Sequence, residues 1–448
     1  MSSQLKQRMF EYVDESEDEM VGFLCELISK KPVNPKVLEP AEGELQAQLW
    51  LQDKLEKFGF DKVDRVALDP KRPNLVGTVK GSGSGKSLIL NGHCDVVPVT
   101  KKQLERWSTD PWRGQVKGGR VYGRGASDML GGLTAIVWVA RAFIENKVKL
   151  KGDLYVESVV GEESCEGGTI GAAATVDAGY RAPFAIVAEP SSLEIQPVTM
   201  GTFLFTMTVW GKDNHTGAKN LIAHPQRYGI PHGNEVGVDA IDKMLKYMAA
   251  FKELERNWAF RFRHPLLDSG IAEQGIAPTT LTTTLIEGGT YVASIPGYCK
   301  ISCQVYYPPM TTAKDMWNEV KETVKAVSST DDWLREHPPT LLIDKSVEGD
   351  NQYFPVWPPS DIPVDHEGCK AIAESYRRIM KREPVYSGVK AVVDTTWFMK
   401  KGVPAVMFGP GNAFTDNVHG IDESISIQTI KDCCKIYVDI VSDWCGIK

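Results

Sequence analysis

No stretch of this sequence approaches the ~20 consecutive apolar residues that a membrane-spanning helix requires. Nor is there a clustered basic face, and the formal net charge is −7, so an electrostatic footprint for nucleic acid is not expected. From Met1 to Met20 the chain carries Glu11, Asp14, Glu15, Glu17, Asp18 and Glu19, with no basic segment leading into an apolar one. That pattern argues against a secretory signal. Low-complexity tracts and internal repeats are missing. Cysteine occurs nine times, but the residues are scattered, odd in number and without a CxxC pair. Neither a disulfide framework nor a structural zinc site is expected, and reduced thiols in a cytoplasmic protein are the reading that fits. What is present is ordinary for a globular chain: 448 residues, 42% hydrophobic and 24% charged, enough for two or three domains with real cores.

Hydrophobic patterning divides the chain in three. In the first part strands alternate with helices: strand-like runs at Ser87–Leu90, Leu154–Val160 and Phe184–Ala188, and a helical period over Leu130–Phe143. Such alternation predicts a mainly parallel sheet covered by helices, the α/β class. The middle reads differently, with a half-exposed strand at Gly201–Gly211, a helix near Val238–Leu254, strands at Thr280–Glu287 and Lys300–Tyr307, a helix over Thr312–Val327 and a strand at Thr340–Asp344. This βαββαβ order predicts a small, ferredoxin-like α+β domain inserted into the first. The α/β pattern then resumes with a helix from His366 to Met380 and a strand at Ala405–Phe408. The expected parts are therefore residues 1–197, 198–350 and 351–448. Ala218–Glu235 has no periodicity and predicts a surface loop.

Five short segments carry the chemistry, four of them directly after an apolar strand: Asn91-Gly-His-Cys-Asp95, Gly123-Arg-Gly-Ala-Ser-Asp128, Gly161-Glu-Glu-Ser164, Ala188-Glu-Pro190 and Val418-His419. Sites in open α/β sheets gather at the carboxyl ends of strands, so these segments can converge. His93 and Asp95 point the same way, and a ligating histidine usually gives its other ring N–H to a carboxylate or carbonyl. A buried histidine–aspartate pair without metal explains them equally well. Asp128, on a glycine-rich loop before an apolar helix, reads as a ligand or as a helix N-cap. Glu162 and Glu163 are adjacent acids behind a buried strand, where one can hold a cation while the other handles protons. On a surface loop such a pair would mean nothing. Glu189 is a ligand or a solvent-facing strand end, and His419 gains meaning only in company. Together His93, Asp128, Glu163, Glu189 and His419 give two imidazoles and three carboxylates. Four ligands close one zinc site and catalytic sites use three, so five favour two metals with one bridging carboxylate. Mixed nitrogen and oxygen donors suit zinc, cobalt or manganese.

These segments, in this order from about residue 20 to 440, resemble the dinuclear-zinc family of acetylornithine deacetylase, succinyl-diaminopimelate desuccinylase, aminoacylase and carboxypeptidase G. The resemblance implies a zinc-hydrolase catalytic domain carrying an inserted lid used for dimerisation. It implies that His93, Asp128 and Glu189 hold one metal, and that Asp128 bridges to a second completed by Glu163 and His419. Asp95 then stands behind the first histidine, and Glu162 is the general base. His215, in Gly211-Lys-Asp-Asn-His215, matches a lid histidine that reaches the partner subunit's site and steadies the oxyanion.

The expected activity is cleavage of a small-molecule amide, foremost deacylation of an N-acyl amino acid or related compound, by a homodimer that binds neither nucleic acid nor membrane. A dipeptidase or aminopeptidase, hydrolytic removal of nitrogen from a non-peptide compound, and a non-catalytic metal-binding homologue are the alternatives. The recognition half departs from the family. Leu130 stands where lysine is common, Ala293 where asparagine is, and Gln304-Val-Tyr306 where Asp-x-Arg binds a substrate carboxylate. Without that guanidinium fork a bidentate carboxylate clamp is lost, which favours a less charged or aromatic substrate.

Overall fold

The computed structural model describes residues 2–37, 43–224, 229–268, 278–343 and 356–448. By internal contacts the chain forms two units: Met1–Val198 with Ser360–Gly388 and Val393–Lys448, and Thr199–Pro359 with Val389–Val392.

The first unit is built on a nine-stranded sheet. Its centre is four mutually parallel strands in the order Leu154–Val159, Leu88–His93, Ala185–Val187 and Ala405–Met407. Strands Leu88–His93 and Ala185–Val187 are buried along their whole length, which is why Leu88–Leu90 and Ala185–Val187 read as continuous apolar runs rather than alternating ones. The sheet as a whole is mixed, not mainly parallel. Asn74–Val79 and Lys62–Val66 extend it antiparallel on one side, and Ile195–Thr199 does so on the other. Those flanking strands belong to hairpin-like returns that carry no helix between them, so the alternation rule does not reach them.

Helix Gly131–Glu145 packs on strands Leu88–His93 and Leu154–Val159 and is backed by helix Ile427–Val441. Every residue from Gly131 to Phe143 is buried, the pattern of a helix enclosed on all sides. The segment Ala126–Glu145 is long and apolar enough to cross a membrane, yet 89% of its most apolar window is buried within the fold, the position of a core helix. Gly132 has a packing reason to be glycine: a Cβ there would lie 1.9 Å from the Ala188 carbonyl oxygen. The helix start is thereby seated against the strand end that carries Glu189.

The second unit has a four-stranded antiparallel sheet in the order Thr280–Gly288, Tyr298–Tyr307, Gly201–Trp210 and Thr340–Ile343. Asp344, the expected end of the last strand, lies outside the described residues, as does the expected boundary at 350. Helices Ala240–Arg261 and Ala313–Ser329 contact this sheet and each other. Side chains alternate along Tyr298–Tyr307, with Cys299, Ile301, Cys303, Val305 and Tyr307 buried, as a half-covered sheet requires. They meet Phe203, Phe205, Met244, Phe251, Trp258 and Trp317 in one core. The stretch Ala218–Glu235, expected to be loop, holds a short helix at Lys219–Ala223 and a turn at Gly233–Glu235, both largely exposed. Residues 225–228 of it lie outside the described residues. All nine cysteines are free thiols.

Candidate metal centre

Parallel strands deliver their following residues to one end of a sheet, and the first unit uses this three times. Strand Leu88–His93 ends on His93, Leu154–Val159 runs on into Glu162 and Glu163, and Ala185–Val187 runs on into Glu189. Asp128 sits between Gly125, whose φ of +83° suits glycine, and helix Gly131–Glu145. That helix has no side-chain cap at its start, so Asp128 is not spent as an N-cap. His419 comes from the loop after Ala405–Met407, with its own backbone at a φ of +60°. A left-handed histidine is locally unfavourable and is held by its surroundings.

The five side chains form two groups that share Asp128: His93, Asp128 and Glu189, and Asp128, Glu163 and His419. His93 Nε2 lies 3.2 Å from Asp128 Oδ1 and 3.2 Å from Glu189 Oε1. On the other side His419 Nε2 lies 3.3 Å from Asp128 Oδ2 and 3.2 Å from Glu163 Oε2. Each oxygen of Asp128 therefore faces a different imidazole, the disposition of a bridging carboxylate. Glu162 stands just outside, its Oε2 3.9 Å from His93 Nε2.

The electrostatics ask for cations here. Burial pushes the carboxyls of Glu162 and Glu163 up, and that of Glu189 up to about 8, despite the attraction of the histidines. Burial also opposes a charge on His93, but Glu189 and Asp128 outweigh it and hold the imidazole well above its ordinary range. Asp128 and Glu163 do the same for His419, raising it to about 10 against burial. Asp128 itself is held low by the two histidines in spite of burial. The ring of His93 gives its Nδ1 hydrogen to the Asp95 backbone carbonyl at 2.9 Å, while its buried Nε2 has no hydrogen bond of its own. A nitrogen so placed, facing two carboxylate oxygens, is satisfied by a positive charge between them, either its own proton or a divalent ion. The donor set, two imidazoles and three carboxylates with one shared, fits a pair of ions of the zinc, cobalt or manganese type.

Asp95 stands behind His93, but through its backbone. Its carbonyl, not its carboxylate, orients His93; the nearer carboxylate oxygen is 3.8 Å from Nδ1. The carboxylate turns instead to accept the backbone N–H groups of Glu162 at 3.4 Å and Glu163 at 3.1 Å. His215 lies in the second unit, on the short strand Asn214–His215, exposed, with Nδ1 accepting the Gly217 N–H at 3.0 Å. It is not among the residues grouped at the centre.

Sequence reasoning missed the buried pair Arg124–Glu423. Glu423 Oε1 accepts the N–H groups of Ser127 and Asp128, each at 3.1 Å, and Glu423 Oε2 accepts from Arg124 at 2.5 Å. Arg124 also donates to the carbonyls of His419 and Gly420. One ion pair thus ties the loop of the shared aspartate to the loop of the second histidine. The available signal was weak: an arginine inside a glycine-rich segment and an acid four residues after His419.

The description "Peptidase family M20/M25/M40" matches residues 89–443. N-formyl-4-amino-5-aminomethyl-2-methylpyrimidine deformylase of Bacillus subtilis (strain 168) is 32% identical over 441 residues, spanning 97% of this chain and 97% of that protein. Among solved structures, human carnosine dipeptidase 1 superposes with a TM-score of 0.71 at 17% identity, covering 98% of this chain and 99% of that one. An M20 family metallo-carboxypeptidase, Sso-CP2 from Sulfolobus solfataricus, gives 0.70 at 17% identity, covering 94% and 98%. At such identities the two structures speak for the fold.

Proposed function

The chain belongs to peptidase family M20/M25/M40, and from that premise we propose that it is a two-metal hydrolase that removes the formyl group from an N-formylated aminomethyl-pyrimidine. It is an enzyme of the amide-hydrolysing kind. The observation that carries the substrate reading is the end-to-end likeness, at 32% identity, to a deformylase for such a compound. Supporting it, strand Tyr298–Tyr307 carries Tyr306, whose Oη accepts from Gln304 Nε2 at 3.1 Å, where an arginine would suit a carboxylate-bearing acyl amino acid.

The overall reaction takes one water, forms a C–O bond at the formyl carbon, breaks its C–N bond and yields formate and the free amine. In this reading His93, Asp128 and Glu189 hold one ion and Asp128, Glu163 and His419 the other, with zinc the ion of choice. Two such ions, when bound, polarise the formyl oxygen and lower the pKa of the attacking water. Glu162, close to the ligands but not facing both imidazoles, takes the water's proton and returns it to the departing nitrogen. Its carboxyl is raised by burial and the neighbouring acids, which makes it a stronger proton acceptor than an ordinary glutamate. His215 accepts a hydrogen bond at Nδ1, so its neutral ring carries the proton on Nε2 and can donate to a developing oxyanion. Homodimerisation through the second unit suits its edge strand, where Leu285 and Ile286 are 69% and 59% exposed. Nine free thiols are consistent with a cytoplasmic home.

The test is a panel of N-formyl-aminomethylpyrimidine, N-acetyl amino acids and dipeptides assayed with zinc-loaded protein, following formate or amine release. Preference for the formyl compound by at least tenfold in kcat/KM is expected. Preference for acyl amino acids or dipeptides would overturn the substrate assignment.

A further inference from the structure

The Glu162–Glu163 pair sets an orientation problem. Two adjacent side chains must take different jobs, and the backbone that separates them is held by the buried carboxylate of Asp95. A further donor fixes the plane of this carboxylate more firmly than the two N–H groups, at 3.4 and 3.1 Å, do alone. Asn34 does this. It is fully buried, and its backbone N–H is tied to the Val96 carbonyl at 3.1 Å, next to Asp95 in sequence. Its side-chain oxygen accepts the Lys36 N–H at 2.9 Å, a local turn that sets the plane of the carboxamide. The amide nitrogen is thereby aimed at Asp95 Oδ2, 2.7 Å away, and at Ser164 Oγ, 2.9 Å away.

Ser164 passes the constraint on. Its hydroxyl donates to Glu166 Oε2 at 2.7 Å, the same oxygen that accepts from Arg124's counterpart on this side, Arg72, at 2.5 Å. Arg72 is in turn held by the buried Glu44 through Nε at 2.6 Å and Nη2 at 3.0 Å. The hydrogen bonds run without a break from Glu44 to the backbone of the base and its neighbouring ligand.

We propose that Asn34 is a positioning residue for the hydrolytic reaction: by donating to Asp95 it fixes the backbone of Glu162 and Glu163, so that one reaches the attacking water and the other the metal. This rests on the two-metal reading above. A hydrogen bond to a charged acceptor is a strong one, and outer-shell partners of metal sites typically matter by about 10–100-fold.

The experiment compares zinc- and cobalt(II)-loaded wild type with Asn34→Ala, Asn34→Asp and Ser164→Ala. Asn34→Asp keeps the shape and replaces the donor with an acceptor against Asp95. For both Asn34 variants kcat is expected to fall about 10–100-fold, with KM within about twofold and two metal equivalents retained. Asn34→Asp should be at least as impaired as Asn34→Ala, and Ser164→Ala, which keeps the Asn34–Asp95 bond, less so than either. The visible spectrum of the cobalt protein should change in the Asn34 variants as Glu163 shifts. Wild-type kcat and spectrum in Asn34→Asp would reduce Asn34 to a space-filler, and a raised KM at constant kcat would make it a substrate contact. Either result overturns the proposal. If wild type fails on every amide, the substrate reading falls, while the cobalt spectra still decide the role of Asn34.

Discussion

Replacing Glu423 by methionine removes a carboxylate that does three things at once. Two backbone N–H groups, of Ser127 and Asp128, lose their acceptor, and the Arg124 guanidinium loses its only anionic partner among the described residues. Both side chains of the pair are 1% exposed, so water does not step in. Breaking a buried pair from one side costs about 3–5 kcal/mol, and each orphaned N–H about 1–3 kcal/mol of that kind of penalty. Arg124→Met is expected to be milder. Burial already raises the Glu423 carboxyl to about 7, although Arg124 lowers it; without the arginine the acid takes up a proton and still accepts both N–H groups. The double variant has no buried charge left over, so it should be less destabilised than the sum of the single variants, with a coupling of about 0.5–3 kcal/mol. Urea melts of chelated protein at pH 7.5 give the three free energies. Zinc competition titrations give a second readout, because the pair touches the loops of Asp128 and His419 alike: affinity should drop about 10–100-fold in Glu423→Met. Additive free energies together with unchanged zinc affinity would refute the idea that this pair joins the two halves of the centre.

Three further outcomes are expected. Glu162→Gln should keep its metal content and lose about 10²–10⁴-fold in kcat, measured by turnover and elemental analysis on the same sample. Asp128→Asn, which weakens the one ligand facing both imidazoles, should retain fewer than two metal equivalents after dialysis, whereas loss of Glu189 alone should spare the second ion better. Glu157→Gln should flatten the pH dependence of stability. Burial holds the Glu157 carboxyl up at about 8, above its ordinary 4.5, so the folded chain binds the extra proton and stability falls as pH rises from about 4.5 to 8. The neutral amide removes that fall, on the order of a few kcal/mol, and melts at pH 6 and pH 9 should differ less than in wild type.

Most of the architecture could be read along the chain because it rests on short-range pattern. Ala185–Val187 is an unbroken apolar run because both its faces are covered, and Tyr298–Tyr307 alternates because only one is. The five expected ligand residues were visible for a related reason: each is a polar residue stranded at the end of an apolar segment or glycine turn, where solvent alone seldom explains it. The braces were not visible, since nothing local marks them. Arg124 and Glu423 are 299 residues apart, and Asn34 and Asp95 are 61 apart. Asp95 was expected behind His93 and stands there through its carbonyl; the hold of its carboxylate on the Glu162 and Glu163 backbone was not foreseen, because a sequence does not say which group of a residue acts. The antiparallel flanks of the large sheet and the short helix Lys219–Ala223 escaped for want of periodicity long enough to register.

The same geometry explains how the centre can be assembled before a metal arrives. Three closely set carboxylates, one of them buried and two half-buried, would repel one another and oppose folding. The two imidazoles answer this, since Glu189, Asp128 and Glu163 raise both of them above their ordinary range, and burial raises Glu189 as well. Protons thus stand in the positions where positive charge is needed. His93 Nε2 and His419 Nε2 would each have to give up a proton to hold a divalent ion, so ion and proton would compete for the same lone pairs. Because the Nδ1 hydrogen of His93 is committed to the Asp95 carbonyl, Nε2 would be the atom that holds an ion, with no need to turn the ring. The scaffold of Asn34, Asp95, Arg124 and Glu423 carries no such competing charge role. Its hydrogen bonds hold the loops and strand ends that carry the five side chains.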